Sequence, residues 1–270
     1  MSGLLLQWYK FKNSYQDFLK VIIGIVAFES LILFIQEKDF LTYFEGSRMT
    51  TFLLLFSSSL LILVQTSITV SKERAILDRD FFSGLDRIKF SLATIFFHSL
   101  LAIVESLVFV LFYLVLLKWF DFDYPNKGQL LSHFGIEILL TTILVFLSAH
   151  YLGLIISAIS GKSEITSVIL AVIVGISQFS LAGTILQLPK SIKGIEQMMF
   201  LGYGHRLFAM SHDLYHLPSS MQKFGIPIPK EQLQWFKVQS STIEDYWIIL
   251  LIHAIIYAGV FVLLMRFKKK

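Results

Sequence analysis

Long apolar runs alternate with short polar ones along this chain. Six of them approach the ~20 residues that a helix needs to cross a bilayer's hydrocarbon core. They lie at roughly 20–36, 50–71, 89–118, 133–160, 165–187 and 246–266. Strands of a membrane barrel would instead be about ten residues long with alternating polarity. The pattern therefore predicts an all-α integral membrane protein with six transmembrane helices. Ahead of the first run, Leu4, Trp8, Phe11, Tyr15 and Phe18 recur at helical spacing, with Gln7, Lys10, Asn13 and Asp17 off that face. This predicts an amphipathic helix over 1–19, lying at the inner membrane interface and leading into the first span. Residues 20–187 then hold spans one to five, and 246–270 hold the sixth span and a basic tail. Between them, 188–245 is a long extracytoplasmic loop or re-entrant region. It mixes apolar pieces (195–201 and 205–210) with a Pro-punctuated stretch at 224–229. Neither a repeat nor a linker divides the chain, so 1–270 is read as one transmembrane domain.

Composition agrees. A chain that is 55% hydrophobic and only 16% charged, with 26 Phe, carries more apolar surface than a soluble fold of this size can hide. The placement of Lys and Arg sets the orientation. Lys10, Lys12, Lys20, the five bases from Lys72 to Lys89, Lys162, Arg266 and the tail 268–270 fall on one side. The short opposite loops hold Lys38, Arg48, Lys118 and Lys127. Positive-inside logic puts both termini in the cytoplasm, and the bases of the long 188–245 segment count little toward it. The terminal KKK is an anchor, not a nucleic-acid patch. The opening MSGLLLQ lacks the basic start and cleavage site of a signal peptide. With no cysteine, disulfides, thiolate metal sites and cysteine nucleophiles are excluded.

Several chemical motifs are incomplete. Gly161-Lys162-Ser163 suggests a P-loop, but Ile156 stands where the first glycine belongs, and a span rather than a strand precedes it. Gly161 is better read as ending the fourth span. His212 and His216 have helical metal-ligand spacing without an HExxH context. Gly175-Ile176-Ser177 with His253 lacks the glycine that a serine hydrolase of the membrane would want after Ser177. Glu29, His98, Glu105, Glu137, His150 and His253 lie in or near apolar spans, where ionisable groups face a bundle interior or a polar cavity. His98 and Glu105 share one face of the third span. They support either interhelical hydrogen bonding or a proton relay, which leaves a self-sufficient proton-coupled carrier or channel as the alternative function.

The most informative polar break is 71–89, SKERAILDRDFFSGLDRIK, which places four acids and five bases between spans two and three. Ile76, Leu77, Phe81, Phe82 and Leu85 interleave with the charges, as in a short amphipathic helix built to dock. Glu73-Arg74, four residues, Arg79-Asp80, three residues and Gly84 form an ER-x4-R[ED]-x3-G pattern. It resembles the first coupling helix of ABC exporter permeases of the second membrane-domain family, most closely the G subfamily. Further features are similar and collinear. Gly153 and Ser157 in LGLIISAIS resemble the family's GLxxSA segment, and Gly183 and Pro189 in LAGTILQLPKSI resemble the segment after its fifth span. Tyr203, Gly204 and Phe208 resemble the region that follows. Asp80 replaces the commoner Glu, and the family's animal members carry outer-loop cysteines that are missing here.

The resemblance implies a transport subunit without a catalytic site. Glu73, Arg74, Arg79, Asp80 and Gly84 would couple it to a separately encoded cytosolic ABC ATPase. ATP and Mg would be bound on that partner, with no cofactor on this chain. A second permease copy or a paralogue would complete a central path lined by spans two and five. Ser58 and Gln65 on the former, and Ser177, Gln178 and Thr184 on or after the latter, are its candidate lining. The expected setting is the inner (plasma) membrane of a bacterium, with the lipid bilayer as a partner and export of a hydrophobic or amphipathic substrate as the task.

Overall fold

The structure, a computed structural model, describes residues 3–36, 40–220 and 234–267. Lys38, the stretch 224–229 and the basic tail 268–270 lie outside them. The described residues form helices and turns, with no strand among them. In chain order the α-helices are α1 (Gly3–Phe34), α2 (Phe44–Ser67), α3 (Thr69–Lys72), α4 (Arg74–Phe82), α5 (Arg87–Trp119), α6 (Phe134–Ile159), α7 (Glu164–Leu181), α8 (Phe200–Ser211) and α9 (Ser240–Phe267).

Among the described residues five helices are long and apolar enough to cross a membrane: Phe44–Lys72 taken together, then α5, α6, α7 and Ser241–Phe267 of α9. α1 is not among these five; its apolar half carries Lys20 and Glu29. α6 is the most buried span and packs chiefly against α9, α2 and α5, whereas α7 and α9 leave most of their surface outward. Phe109 on α5 meets Phe146 of α6 (ring centroids 5.6 Å apart) and Phe208 of α8 (6.2 Å), which joins three helices through edge-on aromatic contacts.

The predicted boundary between an interfacial helix and a first span falls elsewhere. α1 runs through residues 19 and 20 without a break and is interrupted at Ser14, whose φ of −123° and ψ of 19° are non-helical. No Gly or Pro stands at 19–20 to stop a helix, while the Ser14 hydroxyl donates to the Lys10 carbonyl (2.9 Å) at the break. α7 ends at Leu181 rather than near 187, and Gly183 then takes a left-handed φ of 73°.

Where α2 stops at Ser67, the backbone amides of Val70 and Ser71 donate to the Ser157 hydroxyl of α6 (2.8 and 3.0 Å). A side chain thus takes up donors at the start of the new helix, which no carbonyl of its own chain can reach. Gly153, one turn earlier on α6, makes the approach possible. A Cβ there would lie 2.8 Å from Thr66 Cβ and 3.0 Å from the Leu63 carbonyl oxygen. The two small residues of LGLIISAIS therefore hold the crossing of α6 with the α2–α3 break.

Candidate functional site

The charged segment 71–89 folds as a chain of short steps: α3, a one-residue break at Glu73, α4, a turn through Gly84, and then α5. Gly84 adopts φ of 103°, which strains any residue with a Cβ. Asp86 caps α5, accepting from the amides of Ile88 (2.8 Å) and Lys89 (2.9 Å), and these bonds hold its carboxyl below the usual range.

The five predicted coupling residues separate by face. Arg74 is buried; its Nε lies 3.2 Å from Asp78, and its Nη1 points at the Met265 sulfur of α9 (3.9 Å). Burial lowers the basicity of its guanidinium, with Asp78 opposing that effect. Glu73 pairs with Lys10 of α1. Arg87 donates to the Met265 carbonyl (3.3 Å) and lies over the Phe81 ring (4.8 Å). Arg79, in contrast, projects outward with 76% of its side chain exposed, 3.8 Å from Asp80. Ile76 and Phe82, at helical spacing from it, are exposed on the same face, while Leu77 is fully buried. α4 is thus tied to α1 and α9 by one face and presents an apolar–cationic stripe on the other.

The five predicted path residues do not converge in a single chain. Ser58 is buried on α2, with its hydroxyl unbonded among the described residues, as is that of Thr184 beyond α7. Ser177 faces outward and donates to the Ile173 carbonyl (2.9 Å). Gln178 is buried and accepts from the Leu201 amide of α8 (3.3 Å). Gln65 lies on a different wall of α2 and lines a polar cavity.

That cavity, of about 410 Å³, is open on one side and lined by residues of α1, α2, α3, α5 and α6. α1 meets it with Gln7, Lys10, Asn13, Ser14 and Asp17, and turns Leu4, Trp8 and Tyr15 outward. Gln7 is buried and donates to Thr94 of α5 (2.8 Å). Near α4 the cavity is framed by two ion pairs, Lys10–Glu73 and Lys72–Asp17 (3.4 Å). Lys20 chiefly, then Lys72, hold the Asp17 carboxyl below its usual range. At the other end lie His98, Glu105 and His150, all buried. His150 Nε2 is 2.7 Å from Glu105 Oε2, and His150 Nδ1 is 3.1 Å from His98 Nδ1 and 2.9 Å from the Thr66 hydroxyl. The sequence flagged His98 and Glu105 on one face of α5. It did not reveal that His150 of α6 joins them.

The remaining candidates have structural partners. Gly161, with φ of 75°, terminates α6, and Ser163 caps α7 by accepting from the Thr166 amide (3.2 Å), so the Gly-Lys-Ser triplet is an interhelical turn. His212 and His216 do not share a helical face, because Asp213 (φ 54°) separates α8 from a 3-10 turn. His212 donates from Nδ1 to the Phe208 carbonyl (2.7 Å) and accepts at Nε2 from Tyr113 (2.8 Å). Among the described residues no cluster of three His, Asp or Glu could hold a metal. His253 donates to the Ile249 carbonyl of its own helix. Glu137 is buried and accepts from the Leu130 and Leu131 amides and the Ser211 hydroxyl, which fastens the α5–α6 loop and α8 together. Glu29 is fully buried, with both oxygens unbonded among the described residues.

Comparison with curated proteins gives no match. A family model, that of the ABC-2 type transporter, matches residues 3–204, which takes in α1, α2, the charged segment 71–89, α5 to α7 and the start of α8. With most of the chain matched and five of its described helices long and apolar enough to cross a bilayer, the protein belongs to the ABC-2 type transporter family and is a multi-pass membrane permease of an ABC transporter.

Proposed function

We propose that this chain is the transport subunit of an ABC exporter, driven through α4 by a separate cytosolic ATPase pair that binds ATP and Mg. The supporting observation is the outward stripe of Ile76, Arg79 and Phe82 on α4, opposite a face locked to α1 and α9. A lever needs that division: apolar residues and a charge for the partner's groove, and a rigid attachment behind it. In this reading α1 supplies the first of six spans, both termini are cytoplasmic, and 188–245 is outside. The setting is a bacterial inner membrane. Two permeases, identical or paralogous, face each other across α2 and α7, with Ser58, Gln65, Ser177, Gln178 and Thr184 as the candidate lining. A Phe-rich chain of this kind suits hydrophobic or amphipathic cargo.

The test is copurification of the ATPase, with its stimulated hydrolysis, for Arg79→Glu and Lys89→Glu at matched expression. Arg79→Glu is expected to lose the partner, because removing one member of a desolvated interfacial charge pair costs about 2–5 kcal/mol. Lys89→Glu, nearer the membrane boundary, is expected to retain it. Parent-like binding and stimulation by Arg79→Glu would mean that α4 is not the coupling helix.

A further inference from the structure

Of the five candidate path residues, Gln65 alone reaches the polar cavity behind α1, and the chemistry of that cavity is one-sided. Its charges cancel at the end near α4, where Lys10 pairs with Glu73 and Lys72 with Asp17. At the other end they do not. There His150 Nε2 lies 2.7 Å from Glu105 Oε2, which engages one oxygen of that carboxyl. His150 Nδ1 meets both the Thr66 hydroxyl (2.9 Å) and His98 Nδ1 (3.1 Å), so one ring nitrogen of His98 is engaged and Nε2 is the other. His98 Nε2 and Glu105 Oε1 take no hydrogen bond from the described residues, although both side chains are more than nine-tenths buried and line the cavity.

A carboxyl oxygen and an imidazole nitrogen without partners among the described residues therefore face a space large enough for a small organic molecule. Phe11 and Phe97, whose rings meet at 5.4 Å, and Leu101 line the same space. Aromatic faces and a carboxylate attract the same kind of group, a cation with N–H donors. Phe90 and Glu105 both line it fifteen residues apart on α5, a rise of about 22 Å, so the cavity is elongated along that helix. We propose that it binds an ammonium group carried on a short apolar body, with N–H bonds to Glu105 and His98 and the body against Phe11, Phe97 and Leu101. The ammonium could belong to a free amphipathic amine or to an aminophospholipid headgroup. This site requires neither the ATPase nor a second permease.

The experiment is calorimetric titration of the full chain in phosphatidylcholine nanodiscs, with empty nanodiscs as the blank. The probes are phenethylamine, 2-phenylethanol and 3-phenylpropionate. Saturable binding of the amine alone is expected. Glu105→Gln should weaken it about thirtyfold, the low end of what losing one member of a buried charge pair costs. Leu101→Trp, which fills the cavity and leaves every polar group in place, should abolish it, so the inference does not depend on Glu105→Gln folding. Repeating the titration in discs containing phosphatidylethanolamine separates the sources. A loss of amine binding through competition assigns the site to the lipid headgroup, and unchanged binding assigns it to free amines. Equal binding of the alcohol or the carboxylate, or amine binding that survives Leu101→Trp, would overturn the proposal.

Discussion

Arg74 and Arg79 carry the same charge on one short helix, and burial gives them different roles. Reversing Arg74 would set a carboxylate beside Asp78 in a seat closed by Met265. Arg74→Glu is therefore expected to destabilise by about 2 kcal/mol or more, while Arg79→Glu stays within about 0.5 kcal/mol of the parent in thermal unfolding. The sequence made both arginines legible as a pair in a motif. It could not say which one faces outward, because the residue that decides it lies on α9. His212 shows the same limit. Its spacing to His216 suggested a ligand pair, but its partners are Tyr113 and its own helix. Burial pushes its pKa from the usual 6.5 down to about 4. Below pH 6.5 the unfolded imidazole takes up a proton that the folded one refuses, so stability present above 6.5 is lost as the pH falls toward 4. That loss is on the order of 3 kcal/mol. Melting temperature against pH should fall over this window, and His212→Gln should flatten the curve.

At the level of elements, periodicity foretold nearly every helix and left the direction of its faces open. α1 was legible as amphipathic from Leu4, Trp8, Phe11, Tyr15 and Phe18. A two-faced pattern does not reveal which environment each face meets. Here Gln7, Lys10 and Asp17 of the polar face line a cavity of the same protein together with Phe11 and Phe18, while Leu4, Trp8 and Tyr15 turn away from it. Gln7 is consequently a buried contact rather than a solvated one. Gln7→Ala is expected to cost about 1 kcal/mol by leaving Thr94 without its donor, whereas Lys12→Ala, on the exposed side, should be neutral. Chemical denaturation in a fixed detergent would distinguish the two. The end of α7 was misplaced for a comparable reason. Residues 182–187 remain apolar in composition, but the left-handed turn at Gly183 is set by backbone geometry that hydropathy does not register.

For the molecule as a whole, the alternation of apolar runs made the helical membrane class legible, and collinear motifs made the family legible. The joining of α1, α2, α5 and α6 around one polar space was not, since it depends on contacts between residues far apart in the chain. Topology and assembly are open to direct measurement because the chain has no cysteine. Impermeant-thiol labelling of intact cells is expected to reach a cysteine at Ser191, which is exposed within 188–245, and to miss one at Ser83. Ile165, Ile169, Ile173 and Ile176 form an exposed stripe along α7, the least covered helix together with α9. Cysteines placed along 177–184 should cross-link into dimers in the presence of the ATPase, and a monodisperse monomer under those conditions would count against pairing across this face.

The anchoring of α4 also has a consequence in time. Arg74 finds its seat on Met265, 191 residues further along the chain. A ribosome has threaded α5, α6, α7, α8 and α9 before that seat exists. Until then α4 is held by Glu73 against Lys10 of α1 and by Phe81 against Phe90 and Arg87 of α5, without the seat for Arg74. The handle through which this permease would be driven is therefore finished last, so a half-made chain has no complete grip to offer a motor.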